Sequence, residues 1–422
     1  MTPPPSGLRW LYVDFNSYFA SVEQQEQPRL RGRPVAVVPV DTDFTSAIAA
    51  SYEAKAYGVR TGTMIRDAKR MCPGLICVPA RHDLYVDYHH RALAEIERHI
   101  PVTAVCSIDE AACRLMDNEA PADVAIGIAR SIKRGLAANV GEYVRCSIGI
   151  APNRYLAKVA TDLQKPDGLT LLHPSDLPHR LFGLTLRDLP GIGASMEKRL
   201  LRAGIADMKT LLAQDARRLH EVWGNILGER MWQLLRGADL PEIETARRTV
   251  GHSHVMAPEF RPPDQAIHIA RRLTLKAASR LRRMDYYAGA MSFSARLECG
   301  LRVDDHTSCW RAQDSRTFLD LLDGMWARCI APRPTLPIKK VAVTLYDLQP
   351  ADSVAPDLFD QPCGAGRSSR LKSERISRAM DQLNQRFGRD TVLLGMLPRH
   401  GQRFSGTRIA FTRIPDLQEF RE

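Results

Sequence analysis

The chain has 422 residues, 44% hydrophobic and 25% charged, and its 59 Lys and Arg against 48 Asp and Glu leave a net charge of +11. Such a composition excludes disorder throughout, no apolar run approaches the roughly 18–20 residues of a bilayer span, and Met1 to Ser6 does not read as a secretory signal. Nine cysteines, scattered without a CxxC pair, argue against a disulfide framework or structural zinc and for a reducing cytoplasm. At roughly 100–200 residues per domain, two to four domains are expected.

In chain order, Trp10 to Asp14 is a short apolar run ending in an acid and predicts a buried strand. Ser17 to Gln25 predicts a helix with Ser17 as N-cap, and Pro34 to Val40 a second strand. Residues 83–99 read as a helix with Leu84, Tyr88, Ala92 and Ile96 on one face. Val102 to Ile108 and Ala111 to Leu115 read as strands joined at Asp109-Glu110, followed by a helix at 123–138, a strand at 145–150 and a helix at 153–163. Strands separated by helices predict one layered α/β domain. After the Pro166-Asp167-Gly168 turn, residues 174–236 read as short helices around Leu189-Pro-Gly-Ile-Gly193, and 237–248 as a polar linker. Residues 249–348 read strand, helix, strand, strand, helix, strand, a small α+β domain. The stretch 349–368 reads as flexible and 370–387 as a helix, with no internal repeat.

The charge is unevenly placed. Residues 1–244 carry 30 basic and 29 acidic side chains, whereas 245–345 carry 17 and 9. A neutral front and a basic back suggest chemistry in one part and a polyanion grip in another, although a basic soluble domain has the same balance.

Asp14 ends one predicted strand and Asp109-Glu110 sits between two others. Acids that converge on one sheet edge repel unless cations lie between them. Mg²⁺ prefers oxygen ligands and keeps waters that substrate phosphates can replace, and two such ions serve phosphoryl transfer. Spacing alone leaves a second reading open, in which these acids cap strand ends at the surface.

Five segments together resemble the Y-family, translesion DNA polymerases. They are Val13-Asp-Phe-Asn-Ser-Tyr-Phe-Ala-Ser-Val-Glu23, Ala50-Ser-Tyr-Glu-Ala-Lys-Ala-Tyr-Gly-Val59, Ser107-Ile-Asp-Glu-Ala111, Ser147-Ile-Gly-Ile-Ala-Pro-Asn-Arg-Tyr-Leu-Ala-Lys158 with Gln164-Lys-Pro-Asp-Gly168, and Leu189-Pro-Gly-Ile-Gly193. Their order and spacing match the family over about residues 8–348, with weaker similarity to 415. The resemblance implies a right-hand polymerase of α/β and α+β domains: palm and fingers at 1–170 (fingers about 25–80), a helical thumb with a helix-hairpin-helix at 171–236, a linker at 237–248, a little finger at 249–348, and a flexible stretch and tail at 349–422.

By the same resemblance, Asp14, Asp109 and Glu110 are the catalytic, metal-binding acids, with the backbone carbonyl of Phe15 as a fourth ligand for two Mg²⁺ ions. Phe19 takes the steric-gate position, where a ring excludes a ribose 2′-hydroxyl; without the family, it reads as a core aromatic. Tyr52, Lys55 and Lys165 fall where the triphosphate is held, neutralising charge that grows on the leaving pyrophosphate. Two departures stand out. Asn16 replaces a frequent Asp, as in another branch of the family, and Lys55 replaces a more frequent Arg, losing the bidentate fork.

Gly191 and Gly193 would expose backbone N–H groups to a DNA phosphate, with Lys198 and Arg199 adding charge. In the basic region, Arg272, Lys276, Lys339 and Lys340 are the expected DNA contacts, although some of the cations near them form a solvated face. Pro356-Asp-Leu-Phe359 partly resembles a sliding-clamp-binding peptide spanning 355–359, anchored by Leu358 and Phe359. Expected partners are primer-template DNA and dNTPs, for a monomer in a bacterial cytoplasm at the nucleoid. The alternatives are a catalytically silent adaptor of the same family, another palm-domain enzyme such as a nucleotide cyclase, and a sequence-independent DNA-binding protein.

Overall fold

A computed structural model describes residues 7–243, 248–354, 365–388 and 391–395. The chain divides into two compact units, parted between Glu242 and Ile243. Among the described residues no helix is long and apolar enough to cross a membrane.

The first unit contains, in order, β1 (Trp10–Phe15), α1 (Tyr18–Glu26), β2 (Val35–Val38), β3 (Ala49–Ala50), α2 (Tyr52–Ala56), α3 (Ile65–Met71), β4 (Ile76–Pro79), α4 (His82–Glu97), β5 (Ala104–Ser107), β6 (Glu110–Arg114), α5 (Ala122–Gly135), β7 (Cys146–Ala151), α6 (Arg154–Leu163) and β8 (Leu169–Leu171). The short helices α7 (Ala194–Arg202), α8 (Met208–Leu212), α9 (Ala216–Trp223) and α10 (Leu227–Leu234) follow.

The expected single α/β domain resolves into two sheets. A five-stranded sheet runs β5-β6-β1-β7-β8, and β2, β3 and β4 form a small sheet of their own. Among the described residues only β7–β8 and β2–β4 pair in parallel; the other pairs are antiparallel, and of these β5–β6 and β10–β11 are joined by short connections. Alternation along β1 sends Leu11, Val13 and Phe15 into a core with α1, α4 and α5. Trp10 and Tyr12 enter a second core with Leu156 and Ala160 of α6 and with Leu200, Met208 and Leu219 of the short helices. Both faces of β1 are therefore covered, which is why its sequence is a continuous apolar run.

Ser17 does precede α1, but it does not cap it. It adopts a left-handed conformation (φ 49°), its side chain bonds no helix N–H, and its Oγ is buried without a hydrogen-bond partner. Asn153 supplies the cap expected of such a residue on α6: its Oδ1 accepts from the Leu156 N–H at 2.7 Å while its Nδ2 donates to the carbonyls of Leu234 and Ala238. Residues at the start of the expected linker are also tied down. Asp239 accepts from the Trp10 indole at 2.8 Å and pairs with Arg114, and Glu242 pairs with Arg154.

The second unit follows the predicted order of its elements: β9 (Thr249–Val255), α11 (Pro263–Arg283), β10 (Tyr286–Leu297), β11 (Arg302–Ala312), α12 (Ser315–Cys329), β12 (Ile338–Pro350) and α13 (Ala365–Phe387). Its antiparallel sheet runs β11-β10-β12-β9. Phe293, Ala295, Val341, Val343 and Leu345 face α11 and α12 across one core, leaving the other face of the sheet to solvent. The tail helix α13 docks through polar groups: Arg282 pairs with Asp381, and buried Ser377 accepts from the Ser315 N–H.

Candidate active site

The five-stranded sheet brings the sequence-predicted acids together at one end. Asp14 lies directly opposite Glu110 on β6 and Ser147 on β7, and the Phe15 N–H donates to the Asp109 carbonyl at 2.9 Å. Period-two alternation puts Asp14 on the Trp10/Tyr12 face, where α6 packs. Asp109 accepts from the Ser107 hydroxyl at 2.6 Å. Its carboxyl is pushed up to about 6, chiefly by burial and further by the charges of Asp14 and Glu110, against the opposing Ser107 hydrogen bond.

Positive charge between these acids comes from two lysines. The Lys158 ammonium on α6 contacts Asp14, lies 2.9 Å from Glu110 and 3.4 Å from Asp162. Lys165 lies 2.7 Å from both Asp14 and Asp162. Burial lowers the Lys158 affinity for its proton, but Asp14, Glu110 and Asp162 more than offset it, so this ammonium is held well above the usual lysine range. Lys165 is raised in the same way, mainly through Asp14. Among the described residues no three His, Cys, Asp or Glu side chains close into a metal cage, and the Lys158 ammonium contacts both Asp14 and Glu110. The donor set nevertheless fits a hard divalent cation: it is all oxygen, and it already holds positive charge at the point where the carboxylates meet.

Tyr52 and Lys55 on α2 join the same cluster. The Lys55 ammonium sits 4.4 Å from the centre of the Tyr52 ring. Burial and then the Lys165 charge lower its proton affinity. Burial raises the Tyr52 phenol.

Asn16 answers its own departure from the family pattern. Its Nδ2 donates to Ser147 Oγ at 3.0 Å and its Oδ1 accepts from the Asp167 N–H at 2.7 Å. An amide donates and accepts at once, which a carboxylate cannot. Asn16 thus ties β1 and β7 to the 165–168 turn that carries Lys165, and Lys133 holds that turn from the other side through the carbonyls of Cys146, Asp167 and Gly168.

Phe19 is buried on α1 and stacks on Tyr85 at 4.4 Å and 15°.

Two family profiles match the chain, one described as the impB/mucB/samB family over residues 13–162 and one as the DNA polymerase-iota thumb domain over residues 187–239. DNA polymerase IV of Moorella thermoacetica is 32% identical over 401 residues, covering 90% of this chain and 94% of the relative. DNA polymerase IV of Pelotomaculum thermopropionicum is 30% identical over 399 residues, covering 91% and 94%. The chain belongs to the DNA polymerase IV family of Y-family polymerases.

It is a DNA-directed DNA polymerase, with the right-hand fold of palm, fingers, helical thumb and little finger. A Y-family DNA polymerase chimera of Dbh and Dpo4 matches its fold with a TM-score of 0.67 at 23% identity, over 81% of this chain and 99% of the other. The insertion ternary complex of Dbh DNA polymerase matches with a TM-score of 0.54 at 25% identity, over 80% and 98%.

The residues expected to contact DNA lie in two places, the turn before α7 with α7 itself, and the second unit. Gly191 has φ +89° whereas Gly193, at the N-cap of α7, has φ −85°, so only the first needs glycine's freedom. Lys198 is exposed. Arg199 is exposed as well, and one of its guanidinium nitrogens donates to the carbonyls of Val222 and Trp223 at the end of α9. In the second unit, α11 with Arg272 and Lys276 lies on the covered face of the sheet, opposite the face bearing Lys340. Lys339 is the extra residue of a β-bulge beside Lys340. Sequence reading missed Arg296 and Arg302, which continue from Lys340 as a row across three strands, each opposite the next. It also missed the roles of Lys158 and Asp162. The signals were present: Arg296 interrupts the apolar Ala295 and Leu297, and Lys158 and Asp162 are spaced i, i+4. Leu358 and Phe359 lie outside the described residues.

Proposed function

We propose that this polymerase adds dNTPs to a primer 3′-hydroxyl by a two-metal mechanism, with low fidelity, in translesion synthesis and damage tolerance. The observation that carries the reading is the register of Asp14 against Glu110, with Asp109 beside them and Lys158 and Lys165 at their carboxylates. Asp14, Asp109, Glu110 and the Phe15 carbonyl would hold two Mg²⁺ ions. When bound, these ions supply the positive charge that activates the attacking hydroxyl and stabilises the leaving pyrophosphate. Lys165, Lys55 and Tyr52 hold the triphosphate, with Lys165 fixed by the turn that Asn16 and Lys133 grip. Phe19 presents a ring to the sugar and favours deoxynucleotides.

The palm and fingers are assigned to 1–170, the thumb to 171–236, the linker to 237–248, the little finger to 249–348 and the tail to 349–422. DNA phosphates are met without sequence reading by the Gly191 turn and Lys198, and by the row Lys340, Arg296 and Arg302. Like charges placed directly opposite in a sheet repel, and a polyanion relieves that repulsion. Residues 355–359, with Leu358 and Phe359, are assigned to a sliding clamp, and the working form is a monomer at the bacterial nucleoid.

Primer extension with Mg²⁺ and each dNTP tests the mechanism. Wild-type extension, abolished in Asp109→Ala/Glu110→Ala at equal primer-template affinity, is the expected result. Equal extension by both proteins would overturn the assignment of the acids.

A further inference from the structure

The Phe19 ring is packed against two other rings. Tyr85, on α4, is fully buried and stacks on Phe19 with ring centres 4.4 Å apart and planes 15° from parallel. His82 stands edge-on to both rings, at 6.4 Å from Phe19 and 6.0 Å from Tyr85. Tyr85 is pinned at both ends. Its hydroxyl donates to Glu23 Oε1 at 2.8 Å, and its carbonyl accepts from the Tyr18 hydroxyl at 2.7 Å. Glu23 is itself fully buried and anchored by a bidentate Arg81, at 3.0 and 2.6 Å, and by Gln27 at 3.0 Å. Burial, and next the Glu23 charge, hold the Tyr85 phenol protonated, so it is a permanent donor.

We infer that Tyr85 is a positioning residue for sugar discrimination: it is the backstop that stops the Phe19 ring from receding when a ribose 2′-hydroxyl presses on it. The inference rests on Phe19 acting as the steric gate. A gate excludes one oxygen atom only if it cannot retreat by the width of that atom. In a close-packed interior a ring with a rigid aromatic plane behind it has no such space. Shortening or softening the wall leaves the gate residue in place and removes its resistance. Neither Tyr85 nor its anchors belongs to the acid and lysine cluster that handles the triphosphate, so dNTP use is spared.

The test measures kcat/KM for a dNTP and the matching rNTP in primer extension by the full chain, together with thermal midpoints. Tyr85→Met, close in volume but flexible, is expected to lower the dNTP/rNTP ratio by about tenfold or more, the scale on which small pocket changes discriminate substrates. Its dNTP kcat/KM is expected to stay within about threefold of wild type, because a deoxyribose does not press on the gate and so does not call on its support. Tyr85→Phe keeps the plane but leaves Glu23 short of a donor, so it is expected to lose stability while keeping the ratio. That split separates gate support from general folding. Phe19→Ala is the control for the gate. A collapsed ratio in Phe19→Ala with an unchanged ratio in folded Tyr85→Met overturns the backstop. An equal fall in Tyr85→Phe and Tyr85→Met overturns it as well, since the ring plane would then not be the cause. An unchanged ratio in Phe19→Ala overturns the gate itself.

Discussion

Gly149 sets the distance between the acids and the lysines. It lies mid-strand on β7, opposite Tyr12 of β1, under helix α6. A Cβ built there would fall 2.0 Å from the Ala157 carbonyl oxygen, 2.8 Å from Ala160 Cβ and 2.8 Å from the Thr161 nitrogen. Real Cβ contacts essentially never fall below 3.0 Å, so α6 would have to retreat by about 1 Å. The obstacle is helix backbone, which has no rotamer to change. Overpacking of this kind costs about 1–3 kcal/mol or more, and the expected value for Gly149→Ala is at the upper end, about 3 kcal/mol. The helix that moves carries Lys158 and Asp162, which meet Asp14 and Lys165. A 1 Å misplacement of such groups costs on the order of a hundredfold in rate. Urea denaturation and single-nucleotide primer extension measure the two effects. Gly193→Ala is the matched control, since its backbone is ordinary and nothing lies within 4 Å of the added carbon. A Gly149→Ala protein within about 0.5 kcal/mol of wild type, extending primers at the wild-type rate, would mean that α6 does not depend on the missing side chain for its place.

Four further outcomes are expected. Lys158→Met leaves Asp14 and Glu110 facing each other without their shared cation, so its thermal midpoint in EDTA should fall and its gain on adding Mg²⁺ should exceed that of wild type; equal gains count against Lys158 as the resident cation. His89 is buried with Nδ1 2.8 Å from the Ile108 carbonyl, and burial, more than the nearby His90, pushes it down to about 4. The unfolded chain therefore takes the proton first as pH falls, so the stability this residue contributes is full above about 6.5 and disappears toward 4. Urea midpoints of His89→Gln should lack that part of the acid limb seen in wild type. Gly191→Ala should lose about 1 kcal/mol, the usual cost of an L-residue in the left-handed region, whereas Gly193→Ala should lose less, by the same denaturation assay. Replacing Lys340, Arg296 and Arg302 with Ala should weaken primer-template binding and reduce the salt slope by about 0.9 for each DNA phosphate that is no longer neutralised, and an unchanged slope in a fluorescence-anisotropy titration would clear the open sheet face of a part in DNA binding.

Much of this protein could be read from local pattern. The run Trp10 to Asp14 predicted β1 because both of its faces are buried, and the order of elements from 249 to 348 followed from periodicity and turns. The same is true of the chemical types at the acidic end: three carboxylates, the lysines near them and the aromatic at Phe19 are properties of the chain. Partnership was not readable, because it depends on atoms far apart in sequence. Asn16 looked like a substituted metal ligand, yet its two amide atoms are committed to Ser147 and Asp167, more than 130 residues away. Ser17 looked like a cap, but the chain turns left-handed there and aims its hydroxyl elsewhere. Arg199 and Lys198 are neighbours of one type, and only packing decides that the first closes the end of α9. The basic region shows the same division. Its surplus charge is a matter of composition, while the choice of Lys340, Arg296 and Arg302 as one surface needed strand register, which brings residues from three strands side by side. Residue type and local period were thus determined by the sequence itself. Which carboxylate meets which lysine, and which ring stands behind Phe19, was decided by tertiary packing, since those energies exist only when distant segments are brought within a few ångströms.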